Sequence, residues 1–286
     1  MITGKKTKFF SMKSYFLIAI LSVLLIVVVM VNGKDAFRGV DVPSWIGSSE
    51  TLALPEIGKP FVNSIGIEFC WIPPGKFKMG DEKYLRTRFV YETTRPPHLV
   101  EIRKGFWMSK YEVTQGSWRL VMGEKAYRYS DDDKRPVTCL TWHQCNDFCR
   151  KLSKLEGLNY RLPSEAQWEY ACQNGDYDFE TMETRLRRVG QYPPNGFGLY
   201  DMVANAGEWC SDVWYPNYKN APSDGSPRTH GNSRHRVIRG GLSFNRSTKE
   251  DVILRYGKAS SYSVCGFRLL ISQYDVNKKR QRAELK

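Results

Sequence analysis

An unbroken apolar run dominates the start of the chain. Tyr15–Val31 (YFLIAILSVLLIVVVMV) carries no charge, and at about 1.5 Å per helical residue it lies near the lower length limit for a bilayer span. Lys5, Lys6, Lys8 and Lys13 precede it, so the pattern predicts a cytoplasmic N-terminus and a body exported to the periplasm or the extracellular space. An uncleaved anchor competes with a cleaved signal peptide, for which Val31-Asn32-Gly33 is a passable cleavage site. Residues 32–60 hold Pro43, Pro55, Pro60, Gly39, Gly47 and Gly58 with little periodicity and read as a linker.

Beyond it the pattern changes to short elements. Phe69–Gly80 alternates like a strand after a Pro-Gly turn, and Leu99–Ile102 and Phe106–Ser109 are further strand candidates. Thr114 is placed as the N-cap of a short helix carrying Trp118, Val121 and Met122. Thr141 with Gln144, and Ser164 with Gln167, form two capping-box pairs. The helix after Thr141 sets Trp142, Cys145, Phe148, Cys149, Leu152 and Leu155 on one face, and the helix after Ser164 turns Trp168 and Ala171 inward. From about residue 173 to Ile271, turns and short strands prevail. The expectation is one loop-rich α+β domain over 61–272, between the linker and a basic polar tail at 273–286. Residues 1–14 form a basic cytoplasmic N-terminus and 15–31 a membrane anchor or uncleaved signal.

Composition supports a packed body, with eight Trp and sixteen Tyr among 286 residues. The formal charge of +13 would fit nucleic acid or acidic surfaces. Much of it, however, sits in the basic N-terminal flank and in Lys278, Lys279, Arg280 and Arg282 of the tail. With no nucleic-acid-binding pattern, a nucleic-acid partner is not expected.

Candidate chemistry concentrates in Gly198–Asp212, where Asp201, Asn205, Glu208 and Asp212 lie among small and aromatic residues. Oxygen ligands on a compact loop suit a hard cation such as calcium. The alternative is that these side chains cap turns and bond backbone amides. No pair among His98, His143, His230 and His235 has helical metal-site spacing.

Several segments together carry a resemblance. They are Ile72-Pro-Pro-Gly-Lys-Phe-Lys-Met-Gly80, Pro97-His-Leu-Val100, Lys110-Tyr-Glu-Val-Thr114 and Arg135-Pro-Val137 followed by Thr141-Trp142. Then come Tyr160-Arg-Leu-Pro-Ser-Glu-Ala-Gln-Trp-Glu-Tyr-Ala171, Asn195-Gly-Phe-Gly-Leu-Tyr-Asp-Met202, Arg236-Val-Ile-Arg-Gly-Gly241 and Gly266-Phe-Arg268. In this order, over roughly residues 65–272, they resemble the formylglycine-generating enzyme family, also called the sulfatase-modifying-factor domain. The resemblance implies a fold related to C-type lectins.

Its best-known members oxidise a sulfatase cysteine to formylglycine with dioxygen and copper(I) held by two cysteines. A serine follows their Gly-Gly pair, the first cysteine comes three residues later and the second five residues after that. Here Leu242 follows Gly240-Gly241, Asn245 takes the first cysteine position and Glu250 falls near the second. The family's tryptophan ahead of Glu-Trp is Gly207, and no cysteine lies between Cys210 and Cys265. Copper chemistry is therefore not expected. Asn245, Arg246, Glu250 and Arg255 remain pocket candidates, and Asn245-Arg-Ser247 is a glycosylation sequon that matters only in a eukaryotic secretory pathway. By resemblance, a structural calcium would use side chains of Asp201 and Glu208 and carbonyls of Ala204 and Ala206, with Asn205 adjacent. A second family calcium site falls in the shortened stretch Gln173–Pro194 and is expected to be lost.

The resemblance also bears on the cysteines. Cys149 and Cys172 match positions that form disulfides in some members, but their usual partners are Leu269 and a non-cysteine here, leaving Cys265 as an alternative. Cys145 lies one helical turn from Cys149, reachable by a metal, while Cys70 and Cys139 read as free buried thiols. The functional expectation is a non-catalytic binding or regulatory module. It would offer a groove around Asn245, Arg246, Arg255 and Tyr256 to a peptide, glycan or protein, with a sulfatase among the candidate partners. The rivals are an oxidase acting on sulfatase cysteine, another oxidase with an unrecognised site, and a structural component of an envelope complex.

Overall fold

The computed structural model describes residues 54–81, 93–125, 131–177, 186–231, 234–241, 255–258 and 264–285. The segment Tyr15–Val31 lies outside the described residues, among which no helix is long and apolar enough to cross a membrane.

The elements follow in the order β1 (Phe61–Val62), β2 (Glu68–Ile72), β3 (Gly75–Met79), β4 (His98–Ile102), β5 (Phe106–Ser109), α1 (Gln115–Met122), α2 (Trp142–Glu156) and α3 (Glu165–Gln173). Next come β6 (Gly207–Val213), β7 (Arg236–Arg239), β8 (Arg255–Lys258), β9 (Cys265–Gly266), β10 (Leu270–Ser272) and α4 (Gln273–Glu284). They form one sheet ordered β1-β2-β5-β10, a β3-β4 hairpin, and a second sheet ordered β8-β7-β6-β9. The β6–β9 pair is parallel, and every other pair is antiparallel.

The single strand expected over Phe69–Gly80 is two strands in different sheets. Pro73 and Pro74 separate them, because a proline supplies no ladder N–H and fixes its φ. The first sheet is a wall between two cores. Phe69, Trp107 and Ile271 face a cluster with Trp118, Phe148, Trp209 and Phe267. Cys70, Ile72, Phe106, Met108 and Leu270 face the other, with Trp168, Val203 and Tyr218. Burial on both faces explains why Phe106–Ser109 is buried throughout rather than in alternation.

The helix starts form as the sequence predicts. Thr114 accepts from the Ser117 N–H at 3.2 Å, and Thr141 and Ser164 both close capping boxes. One expected inward residue is misplaced: Leu155, in the last turn of α2, is 56% exposed, because the buried face of that turn is carried by Leu152 and Glu156 instead. The segment expected as a polar tail forms α4, capped by Ser272, with Val276 buried and Lys279 donating to the Glu156 carbonyl at 3.1 Å. A cation at the end of α2 complements its dipole. Cys70, Cys145, Cys149, Cys172, Cys210 and Cys265 are buried thiols, none in a disulfide.

Candidate functional site

The loop entering β6 turns sharply. Asp201 and Asn205 both adopt left-handed backbone (φ 60°), a conformation that Asp and Asn tolerate better than most residues. Its side chains bind the protein itself. Asp201 accepts from the Gly190 and Tyr192 N–H groups at 2.5 and 3.1 Å. Asn205 accepts from the Arg187 N–H at 2.8 Å and donates to Glu112 Oε1 at 2.9 Å.

Glu208 is buried and paired with buried Arg268. Arg268 Nη2 donates to Oε1 at 2.6 Å and Nε to Oε2 at 2.7 Å, while Trp168 Nε1 also donates to Oε2 at 2.7 Å. Arg268 further donates to the Ser109 and Tyr200 carbonyls, both at 3.0 Å. One guanidinium thus ties β5, β6 and the 195–201 turn together. Glu112 lies beside this pair with Oε2 meeting no donor. Its neighbour is the Asp201 carboxyl, and a bond between two carboxyl groups requires a proton on one of them. Burial, and then the Asp201 charge, push Glu112 well above the ordinary carboxylate range. Burial does the same to Asp201, against its bonds from Gly190 and Tyr192.

The expected calcium ligand set does not fit this arrangement. Both Glu208 oxygens are occupied by a buried cation, and both Asp201 oxygens by amides. The carbonyls of Ala204 and Ala206 lie close against Gly241, where an added Cβ would lie 2.8 and 2.6 Å from their oxygens. Chelation by EDTA should therefore leave the melting temperature unchanged to within about 1 °C, because a ligand that does not bind the native state does not stabilise it. A rise of several degrees on adding calcium would contradict this geometry.

A second buried network sits on α3, β7 and β8. Glu165 accepts from Arg255 Nε at 2.5 Å and Nη2 at 2.8 Å, from Arg239 Nη1 at 3.0 Å and from the Tyr218 hydroxyl at 2.9 Å. Arg239 also reaches Glu169 at 2.8 Å, and Arg255 donates to the Thr93 and Tyr215 carbonyls. Arg255 is thus turned inward, contrary to its expected place in an open groove, because Glu165 and Tyr218 offer it a complete set of partners. Burial raises the Glu165 carboxyl, but Arg255 and Arg239 outweigh it and hold the group below its ordinary value. Neighbouring Asp212 lacks such a partner, and burial followed by the Glu165 charge pushes it up to about 7.

Gly240 and Gly241 lead from β7 into the segment carrying the other candidates. A side chain at Gly240 would meet the Met202 carbonyl at 2.7 Å, so the end of β7 packs against the Asp201–Glu208 loop. Asn245, Arg246 and Glu250 themselves lie outside the described residues. Burial raises the thiols of Cys210 and Cys265 well above the ordinary value, and that of Cys172 up to about 12.

This chain matches the model of the sulfatase-modifying factor enzyme 1-like domain over residues 62–185 and 176–273. It belongs to that family.

Within the sulfatase-modifying-factor family its curated relatives have varied names. It is 34% identical over 136 residues to the serine/threonine-protein kinase pkn1 of Chlamydia pneumoniae, covering 42% of this chain and 20% of that protein. It is 29% identical over 158 residues to the formylglycine-generating enzyme of Bos taurus, covering 45% and 40% respectively. It is 26% identical over 172 residues to the chaperone protein LppX of Paenibacillus barcinonensis, covering 37% and 61%. The chain thus spans less than two thirds of each of these relatives. Among solved structures, PvdO from Pseudomonas aeruginosa superimposes with a TM-score of 0.62 at 24% identity, over 76% of this chain and 99% of that one. Treponema denticola variable protein 1 gives 0.58 at 23% identity, over 74% and 98%. Both share the fold.

Glu112 and Arg268 were missed as site residues by sequence reasoning, although both stand in the family motifs Lys110–Thr114 and Gly266–Arg268. For Arg268 the available signal was a charge directly after the apolar Gly266-Phe267 pair; Glu112 beside Lys110 carried none.

Proposed function

We propose that this chain is a non-catalytic binding or regulatory member of the sulfatase-modifying-factor family, held on the extracytoplasmic side by Tyr15–Val31. The observation that carries this reading is the missing thiol pair. No cysteine lies between Cys210 and Cys265, and Asn245 and Glu250 stand where the family's oxidases keep copper(I) ligands. A carboxylate and an amide are hard oxygen donors and do not replace thiolates for a soft ion. The names of a kinase and a chaperone among the relatives fit a domain that serves purposes besides oxidation, although a shared fold alone assigns no activity.

The test is co-expression with a sulfatase-derived peptide carrying the target cysteine, followed by mass spectrometry. The peptide should keep its cysteine, while a bovine-type formylglycine-generating enzyme run in parallel should convert it to the aldehyde. Conversion by this chain that disappears in Glu250→Ala but survives an unrelated surface change would refute the proposal.

A further inference from the structure

A slot of about 630 Å³ opens at the free edge of the first sheet, within the usual size range of ligand pockets. Phe61 and Val62 of β1, Cys70 and Trp71 of β2, and Phe197 and Tyr200 line it. Strand parity says what this edge offers. Lys110 donates its main-chain N–H to the Glu68 carbonyl at 2.8 Å, and Cys70 and Ile72 stand opposite Met108 and Phe106. Even-numbered residues of β2 therefore bond toward β5, and odd-numbered ones toward β1.

β1 is too short to use them all. Its first residue, Phe61, pairs with Phe69, and the chain before it turns away. Pro60 has no N–H, Lys59 donates its N–H to the Glu56 carbonyl, and the Lys59 carbonyl accepts from Trp107 Nε1 at 2.8 Å. Trp71 is left with a main-chain N–H and C=O facing the slot without a strand partner among the described residues. Such an exposed edge is a template for another strand.

We propose that this slot binds an extended peptide segment of a partner protein by strand addition at Trp71, with an uncharged aromatic or aliphatic side chain anchored within it. The charge balance selects an uncharged segment. The ionic pair at the rim, Glu68–Lys110, closes on itself at 2.8 Å, and the Lys110 ammonium lies over the Tyr111 and Tyr200 rings. A main-chain donor and acceptor side by side match the pair that every extended peptide residue carries, and main-chain bonds plus a side-chain pocket form a known recognition mode. The inference rests on the binding reading above and assigns the contact to residues other than Asn245, Arg246 and Arg255.

The experiment selects binders from a phage-displayed library of short random peptides on the full-length chain, then measures a synthetic binder by fluorescence polarisation. Phe197→Ala and Val62→Arg should each weaken it at least about tenfold, the loss expected for a residue at the centre of an interface; Val62 is exposed, so its variant should do so with an unchanged melting curve. Methylating single main-chain nitrogens of the peptide should abolish binding at one residue and spare its neighbours, and bound peptide should slow hydrogen exchange within 69–72. A binder indifferent to both slot variants or to N-methylation overturns the proposal, as does a library that yields no binder. Aldehyde formation in the sulfatase assay would refute the non-catalytic reading while leaving these binding outcomes unchanged, so the two failures are distinct.

Discussion

Replacing Glu208 by Ala is expected to cost about 3–5 kcal/mol of folding stability, because removing one partner of a buried ion pair strands the other charge. Arg268 is fully buried, and its remaining acceptors are main-chain carbonyls, which do not neutralise it. The Trp168 indole N–H would lose its Glu208 acceptor as well. Urea unfolding followed by tryptophan fluorescence measures the effect, and the melting temperature should fall by roughly 6–20 °C for a domain of this size. The double variant Glu208→Leu with Arg268→Met should lose less than the two single changes combined, since it buries no unpaired charge. A Glu208→Ala loss below about 1 kcal/mol would show that water reaches this pair, against the burial argued above.

What the sequence made legible follows from interaction range. The capping boxes at Thr141 and Ser164 connect residues three apart, and strands such as Phe106–Ser109 are set by local apolar pattern. Neither depends on a tertiary contact. The buried charges do. Glu208 finds Arg268 sixty residues away, and Glu165 finds Arg255 ninety residues away, distances at which sequence carries no local signal. Read alone, Asp201 and Glu208 are two hard oxygen donors on a tight loop, which is why calcium was expected. The cation already supplied by the chain, Arg268, changes that chemistry. Arg255 misled for the same reason, since an arginine in a short β-strand looks solvent-facing until its carboxylate is located.

The two buried networks divide the work of this fold. Arg268 and Glu208 join the first sheet to β6, and Arg239, Arg255 and Glu165 join α3 to the second sheet. With few long elements, cross-links of this kind define the geometry that regular hydrogen bonding defines elsewhere. They also give Glu208 in the Gly198–Asp212 loop a cation from the chain itself, the Arg268 guanidinium.

Glu165→Ala should be the second most damaging change, again at about 3–5 kcal/mol, because two buried guanidiniums lose their shared carboxylate. Arg239 keeps Glu169, but Arg255 keeps only carbonyl acceptors and the faces of Trp214 and Tyr218. The loss should therefore appear first in β8, as faster hydrogen exchange across Arg255–Lys258. Its pH dependence has a defined sign. Glu165 has a folded-state pKa below its unfolded value, so its contribution is fully present above the unfolded carboxylate range and disappears as pH falls through the folded value. Asp212 runs the other way: its carboxyl is raised to about 7, so ionising it opposes folding as pH rises toward that value. Removing Glu165 also removes the charge that helps raise Asp212, which lets Asp212 ionise at lower pH in the variant. That relief of Asp212 narrows the gap between wild type and Glu165→Ala near neutral pH, but the loss of the Glu165 charge beside two buried guanidiniums outweighs it. The stability gap should thus be wide near neutral pH and close as the solution becomes acidic enough to protonate Glu165. Chemical denaturation across that range measures it, and a gap that widens in acid would mean that Glu165 is not the carboxylate holding β8 to α3.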